Sequence, residues 1–128
     1  MSKCGFKELK VWKESKDLAV EIYNITSFGE INKDFDLRNQ IRRAAISIPS
    51  NIAEGDERDT DKESVRFLYI AKGSLAEVVT QLEIAKEIGY IDENQLEQLE
   101  SKCRKIGKML GSLIKTRSKE NIPIAHSL

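Results

Sequence analysis

The sequence predicts an all-α protein, an antiparallel up-down-up-down four-helix bundle. Charged residues make up 33% of the 128 residues and only two prolines and seven glycines occur, which is typical of helical proteins. Four long segments repeat apolar residues at spacings of three and four, and none alternates as a strand does. Short connections join the four segments, so neighbouring helices are expected to run antiparallel.

The first two helices are predicted over residues 6–26 and 36–54. Gly29 and the polar residues after it interrupt the apolar pattern, which predicts a connection between them. Gly55 is expected to end the second helix. The apolar face of this helix consists of Leu37, Ile41, Ala44, Ile48 and Ile52.

The third helix is predicted over residues 61–88. Thr60 and Glu63 match a capping box, in which each side chain bonds the other's free backbone N–H. Gly89 is placed to end the helix in the left-handed conformation. Apolar residues lie on more than one side of this helix, so it requires cover on more than one side.

The fourth helix is predicted to follow Asp92, which forms a second capping signal with Gln95. Its apolar residues repeat at spacings of three and four almost to the end of the sequence. We therefore predict a single four-helix-bundle domain over residues 1–118. Residues 119–128, which include His126, are predicted to form a flexible C-terminal tail.

A proline lies inside the second predicted helix, in the stretch QIRRAAISIPSNIAEG. Pro49 removes one backbone hydrogen bond and clashes with the carbonyl of Ala45, at a cost of about 3 kcal/mol. Ser47, Ser50 and Asn51 flank it and offer short side chains that can bond freed backbone groups. These features predict a kink in the helix at Pro49.

A polar stripe runs beside the apolar face of the second helix. It consists of Gln40, Arg43, Ser47, Asn51 and Glu54. The stripe is either a semi-buried polar seam between helices or an ordinary solvated flank. In an antiparallel pairing with the third helix, Glu77 falls within a turn of Arg43, which predicts an ion pair. Gly73 and Ser74 would then let the two backbones approach closely.

The 21 basic and 21 acidic residues give no net charge, so no global field attracts nucleic acid or anionic membranes. The two cysteines, Cys4 and Cys103, predict neither a disulfide framework nor a zinc site and suit a reducing cytoplasm. Neither a signal peptide nor an apolar stretch long enough to span a membrane is present. We predict a cytoplasmic location and no membrane partner.

Basic residues without intervening acids dominate the end of the fourth helix, and a smaller basic group lies on the second. These candidate nucleic-acid-binding residues are Lys102, Arg104, Lys105, Lys108, Lys115, Arg117, Arg38 and Arg42. They favour contact with a phosphate backbone without base readout. The alternative is that the fourth helix is acidic at its start and basic at its end because its macrodipole favours that arrangement, which requires no ligand.

The sequence does not favour an enzyme. The only histidine, His126, lies far along the chain from Ser47 and Ser74, so no hydrolytic triad is predicted. Zinc-ligand spacings, calcium loops and glycine-rich phosphate loops are missing from the sequence. We predict no catalytic residue, metal or cofactor; Glu54 and Glu77 are the nearest candidates for catalysis by carboxylates alone.

The stretch QIRRAAISIPSNIAEG, followed by FLYIAKGSLAEVVTQLEIAKEIGYI, resembles the signature of the four-helix-bundle 23S ribosomal RNA intervening-sequence proteins. The opening FKELKVWKESKDLAVEIYNIT is also similar, so the resemblance covers roughly residues 6–114. It implies a homopentameric ring without enzyme activity. A protein similar in fold, the accessory variability determinant of diversity-generating retroelements, is pentameric and binds nucleic acid and a reverse transcriptase. The family-like positions are Gln40, Arg42, Arg43, Ser47, Pro49, Ser50, Asn51, Glu54, Gly55, Gly73, Ser74 and Glu77.

The first and third helices carry more apolar surface than a lone bundle can bury, which agrees with an oligomer. Trp12, Tyr23, Phe67 and Ile70 are the candidate interface residues, although Trp12 and Tyr23 equally suit a position around the bundle's own core. The leading hypothesis is a bacterial, non-enzymatic scaffold or adaptor that engages RNA or a nucleic-acid-processing partner without sequence readout. The alternative is a structural or protein-binding oligomer with no nucleic-acid role.

Overall fold

A computed structural model describes residues 5–119 of the chain, and all of the secondary structure in this range is helical. The all-α prediction is therefore confirmed. The elements are a short 3₁₀ helix over Gly5–Glu8 and the α-helices α1 (Lys10–Ile25), α2 (Gly29–Lys33), α3 (Phe35–Asp56), α4 (Asp61–Ile88) and α5 (Glu93–Lys119). Cys4 and the predicted tail from residue 120 onward, with His126, lie outside the described residues.

The four long helices share one hydrophobic core. α1 packs on α3 and α5, and α4 packs on the same two helices, so the contacts among the four helices close a ring. The largest side chains that are almost fully buried in this core come from all four: Leu18, Ile22, Ile41, Ile48, Ile52, Leu68, Leu82, Ile106 and Leu110. Their burial is the main source of stability, at about 25 cal/mol per Å² of apolar surface.

The ends of α4 follow the local rules read from the sequence. The Thr60 hydroxyl accepts a hydrogen bond from the backbone N–H of Glu63 at 3.2 Å, which confirms Thr60 as the N-cap. The reciprocal bond of the predicted capping box is not formed among the described residues, where the Glu63 carboxylate lies 3.7 Å from Arg66. At the other end Gly89 has a φ of +97°, and the N–H of Tyr90 donates to the carbonyl of Ala85 at 2.8 Å. This is the left-handed glycine cap that was predicted, and α4 spans the predicted residues.

The capping signal before α5 is also confirmed. The backbone N–H of Gln95 donates to the Asp92 carboxylate at 2.7 Å, and the backbone N–H of Asp92 donates to the Gln95 side chain at 2.9 Å. Each side chain therefore satisfies the other residue's free donor, as a capping box requires.

Asp34 connects the start of α3 to the turn between α4 and α5. One carboxylate oxygen accepts from the backbone N–H of Leu37 at 3.2 Å, which caps α3. The other accepts from the Tyr90 hydroxyl at 2.9 Å. This hydrogen bond to the carboxylate raises the pKa of Tyr90, because the protonated phenol is the form that donates.

The first predicted helix and the connection after it differ from the structure. α1 begins at Lys10, after a separate 3₁₀ turn, and not at residue 6. The predicted connection contains α2, which begins at Gly29 with a φ of +75° and buries Ile31 to 2% exposure. One buried anchor in a five-residue helix produces no periodic pattern, so the sequence did not reveal α2.

Gly55 does not end α3, which continues to Asp56. A Cβ atom added to Gly55 would lie 3.0 Å from the backbone oxygen of Ser64 and 3.1 Å from Cβ of Phe67. Gly55 is therefore needed where α3 meets the start of α4. The expected close approach at Gly73 is wrong, because nothing lies within 4 Å of a Cβ added there.

Pro49 lies inside α3 and is buried, and helical structure continues on both sides of it. Beside it, the Asn51 amide donates to the carbonyl of Ser47 at 2.8 Å and to the Ser47 hydroxyl at 2.9 Å. A kink at this proline stays a prediction. Within residues 5–119, no helix combines the length and apolar character needed to cross a membrane.

Candidate functional site

Part of the polar stripe on α3 lies between helices. The Ser74 hydroxyl, on α4, donates to the Ser47 hydroxyl at 2.8 Å, and Ser47 also accepts from Asn51. Ser74 is buried, and Ser47 and Asn51 are half-buried. These three side chains satisfy one another's polar groups at the contact between α3 and α4, as a polar seam would require.

The rest of the stripe faces solvent. Gln40, Arg43 and Glu77 are exposed and line a cavity of about 470 Å³ between α3 and α4. Within residues 5–119, no ion pair joins Arg43 to Glu77, so the structure places them near one cavity without pairing them. Glu54 instead pairs with Arg58 at 2.9 Å, one turn further along the chain.

The same cavity contains a polar atom without a partner. The side-chain oxygen of Gln81 is buried and accepts no hydrogen bond from the described residues. The sequence did not indicate Gln81, because the polar stripe was defined on α3 and Gln81 lies on α4. A buried acceptor of this kind calls for a donor from water or from a bound group.

Most of the basic residues predicted to bind nucleic acid on α5 are matched by carboxylates. Lys102 bonds Glu21, and Lys105 lies 3.3 Å from Glu14, so both join α5 to α1. Arg104 pairs with a neighbour on its own helix, Glu97, at 3.4 Å. These contacts leave little uncompensated positive charge on this part of α5.

Arg117 belongs to the interior of the fold. Its guanidinium donates to the Asp56 carboxylate at 2.8 Å and to the hydroxyl of Ser64. The two charged side chains are only 17% and 12% exposed. Arg117 thus holds together the end of α3, the start of α4 and the end of α5.

Two of the α5 candidates, Lys108 and Lys115, remain exposed and make no ion pair with another residue in the range 5–119. They lie seven residues apart on one helix. Two isolated ammonium groups form a much smaller positive surface than the six-residue group that the sequence indicated.

The two arginine candidates on α3 have neutral partners. Arg38 donates to the backbone and side-chain oxygens of Asn32 at 2.9 and 3.1 Å, and its guanidinium lies 4.7 Å from the ring centre of Phe35. Arg42 donates to the Thr26 hydroxyl at 2.8 Å and lies 4.5 Å from the ring centre of Tyr23. Neither contact neutralises the positive charge.

Arg42 and Arg43 line a surface cavity of about 310 Å³ between α1 and α3. The remaining lining residues are Tyr23, Asn39 and Ile46. No carboxylate lines it, and the Arg43 side chain makes no hydrogen bond or ion pair with any described residue. Two guanidinium groups without a balancing anion therefore converge on one small cavity.

An apolar cavity of about 340 Å³ adjoins it and shares Tyr23 and Ile46. Ala19, Val20 and Pro49 complete its apolar lining, and Lys16 and Asn24 also border it. We call the two adjoining cavities the α1–α3 groove. The sequence suggested Arg42 for nucleic-acid binding and Tyr23 for an interface, and it did not indicate Val20 or Ile46. Val20 and Ile46 could have been found as apolar residues that lie outside the core-facing stripes of their helices.

Of the four predicted interface residues, two have their aromatic rings in contact with other side chains of the same chain. Trp12 is half-buried and its ring lies 5.3 Å from that of Phe6, while Phe67 lies under the guanidinium of Arg58 at 4.4 Å. Tyr23 and Ile70 are 39% and 41% exposed.

Three exposed isoleucines share one side of α4 over residues 70–88. Ile70, Ile84 and Ile88 lie on one side of the helix and are 41%, 44% and 54% exposed. Ile70 is one of the predicted interface residues, and the sequence indicated apolar residues on more than one side of this helix. No described part of the chain covers this α4 isoleucine face.

Two carboxyl groups meet at the contact between α4 and α5. A hydrogen bond with Glu83 raises the pKa of Glu100, and partial burial and the negative charge of Glu83 act in the same direction. Arg104 opposes the shift and Glu97 adds to it. Next to this pair, burial raises the pKa of the Cys103 thiol to about 12, so the thiol stays protonated.

Replacing Glu100 by glutamine should stabilise the protein at neutral pH. Because the pKa of Glu100 is raised in the folded protein, its contribution is present at low pH and is lost as pH rises through that pKa. An amide keeps a donor toward Glu83 at every pH. Thermal unfolding from pH 4 to 7 should show the gain of Glu100→Gln growing with pH, whereas the exposed control Glu87→Gln should show no such growth. An equal gain at all pH values contradicts the raised pKa of Glu100.

A family model for 23S rRNA-intervening sequence proteins matches residues 7–112. A solved structure from Bacteroides thetaiotaomicron, a protein of unknown function from the S23 ribosomal protein family, is 30% identical to this chain. The alignment covers 82% of this chain and 98% of that one, with a TM-score of 0.75. No curated protein matches the chain.

Proposed function

The chain belongs to the family of 23S rRNA-intervening sequence proteins, and on that premise we propose that it is a non-enzymatic scaffold that assembles with copies of itself and engages RNA. The observation that carries the proposal is the α4 isoleucine face. Its three members are each more than two-fifths exposed and lie along one side of the longest helix. Apolar faces of this kind usually mark surfaces that bind other proteins.

A second copy is the occupant that the family premise favours for this face. The resemblance implied five copies in a ring, and we propose that number. Glu77 lies between the isoleucines on the same side of α4, and Arg43 lines the same cavity as Glu77. The exposed Glu77 carboxylate supplies a polar group of the kind found at the rim of a protein interface.

Light scattering coupled to size-exclusion chromatography tests the assembly. The unmodified protein should have about five times the chain mass, and the double variant Ile70→Arg/Ile84→Arg should have a smaller mass, because two buried cations would lie in the interface. Ser101→Arg, an exposed change on α5, is the control and should keep the mass unchanged. A single-chain mass for the unmodified protein at micromolar concentration contradicts the proposal.

The four long helices are proposed to form an antiparallel bundle. Contacts between α3 and α4 support this. Asp34 contacts Tyr90, Ser47 contacts Ser74, and Gly55 approaches Ser64, so the partners run backward along the chain as α3 runs forward. Pairs between α1 and α5 are reversed in the same way. We also propose that α3 bends at Pro49, which lacks the N–H that a continuous helix uses.

RNA is the proposed ligand of the assembly, in the cytoplasm, through phosphates and without base-specific contacts. Retention of RNA on filters at low salt, with a steep loss as salt rises, is the expected result. The second candidate is a structural or protein-binding oligomer with no nucleic-acid role. The carboxylate partners of the α5 cations support this second candidate, because they leave α5 with little free positive charge.

A further inference from the structure

We infer that the α1–α3 groove binds a nucleotide unit of single-stranded RNA, with the phosphate at Arg42 and Arg43 and the base ring on the apolar lining beside Tyr23. This inference rests on the proposed function, because it assigns the RNA contact of that function to named residues. It also moves the contact from the basic part of α5 to the contact between α1 and α3.

Neither arginine of the groove forms an ion pair within the described residues. The hydrogen bonds of Arg42 go to the Thr26 hydroxyl, the Tyr23 carbonyl and the Ser27 hydroxyl, all neutral acceptors. Arg43 has no partner among residues 5–119. Guanidinium groups bind phosphate oxygens through paired N–H donors, and no carboxylate in this cavity competes for them.

One carboxylate, that of Glu77, shares a cavity with Arg43. It lines the neighbouring cavity between α3 and α4, which Arg43 also borders, and it is not paired with Arg43. Glu77 does not line either cavity of the α1–α3 groove. Arg43 therefore borders both cavities, whereas Glu77 borders only the one between α3 and α4.

The apolar half of the groove fits a base ring. Val20 is 55% exposed, Ile46 is 42% exposed, and the Pro49 ring lies beside them. Tyr23 borders both halves, and Arg42 lies over its ring. Aromatic and guanidinium planes are the surfaces on which single-stranded bases stack.

A single strand fits this groove better than a duplex does. In double-stranded RNA the bases are stacked on one another, so an apolar surface gains nothing from them. In a single strand, one unpaired base and its own phosphate can reach the two halves of the groove together. Asn39, which lines the charged half, adds an amide that can bond a sugar or phosphate oxygen.

Fluorescence anisotropy with labelled oligouridylate at low salt tests the inference on the full chain. Tyr23→Ala should weaken binding about tenfold, the effect of losing one stacking residue, while Tyr23→Phe should bind as the unmodified protein does. Arg43→Ala should weaken binding several-fold and lower the slope of log affinity against log salt by about 0.7, the effect of one lost phosphate contact on a single strand.

The matched control is Lys108→Ala, which removes one exposed positive charge from α5. It should leave both the affinity and the salt slope nearly unchanged. Arg43 and Tyr23 are exposed side chains, so their variants are expected to fold; circular dichroism and mass measurement check this. An abasic oligomer should lose the effect of Tyr23→Ala and keep that of Arg43→Ala.

The outcomes separate the inference from the function on which it rests. If the unmodified protein fails to bind oligouridylate at low salt, both the RNA role and the site are wrong. If it binds, and Lys108→Ala weakens it as much as Arg43→Ala does, the RNA role stands and the site is wrong. If Tyr23→Ala instead lowers the mass of the assembly, the groove is an interface between copies, which also overturns the inference.

Discussion

Replacing Arg117 by alanine is expected to lower the free energy of unfolding by about 3 kcal/mol. Removing one member of a buried ion pair leaves the other charge without compensation, which costs about 3–5 kcal/mol, and the small residual exposure of this pair favours the lower end. The variant leaves the Asp56 carboxylate without its guanidinium and removes a donor from the Ser64 hydroxyl. Three helix ends lose their common connection.

Urea unfolding followed by circular dichroism at one fixed protein concentration measures the effect. Lys115→Ala is the matched control, since it removes an exposed cation two residues earlier on the same helix and should change stability by less than about 0.5 kcal/mol. An equal, small change in both variants would show that Arg117 is an ordinary surface cation. Loss of RNA binding by Arg117→Ala without loss of stability would restore its assignment as a ligand residue.

Gly55→Val is expected to lower the free energy of unfolding by about 2–3 kcal/mol. A Cβ at this position already lies 3.0 Å from a backbone oxygen of α4, and a branched side chain adds two more carbons to the same contact. Overpacking of this kind typically costs about 1–3 kcal/mol. Helix propensity does not offset the cost, because valine gains only a few tenths of a kcal/mol over glycine.

Gly111→Val is the control for this prediction. Gly111 lies inside α5, is exposed, and has nothing within 4 Å of an added Cβ, so the same substitution should change stability by less than about 0.5 kcal/mol. Gly55→Ala should fall between the two variants. Thermal unfolding at equal concentration gives the order, and a Gly55→Val protein as stable as Gly111→Val would show that α4 can move away from α3.

Local chemistry made much of the fold predictable. Thr60, Gly89 and Asp92 act within a few residues of themselves, so the sequence alone located both ends of α4 and the start of α5. The family resemblance is confirmed by the match over residues 7–112. Gly55 was misinterpreted because a helix-ending glycine and a close-packing glycine look the same until the opposing helix is known.

The candidate site was less predictable, for an electrostatic reason. A sequence gives the sign of each charge but not its partner, and the α5 cations have partners on α1 and α3 or on their own helix. In the sequence, Arg42 belonged to the smaller basic group on the second helix, and Arg43 was assigned to the polar stripe. Their relation to Val20 and Tyr23 exists only once α1 packs against α3.

Asp34 connects two segments that lie far apart along the chain, the start of α3 and the turn between α4 and α5. Its two carboxylate oxygens hold the first turn of α3 and the Tyr90 hydroxyl at the same time. Fraying of either segment removes a restraint from the other, so we expect their amide protons to open together in hydrogen exchange. A single hydrogen bond thus couples the start of a helix to a loop 56 residues away.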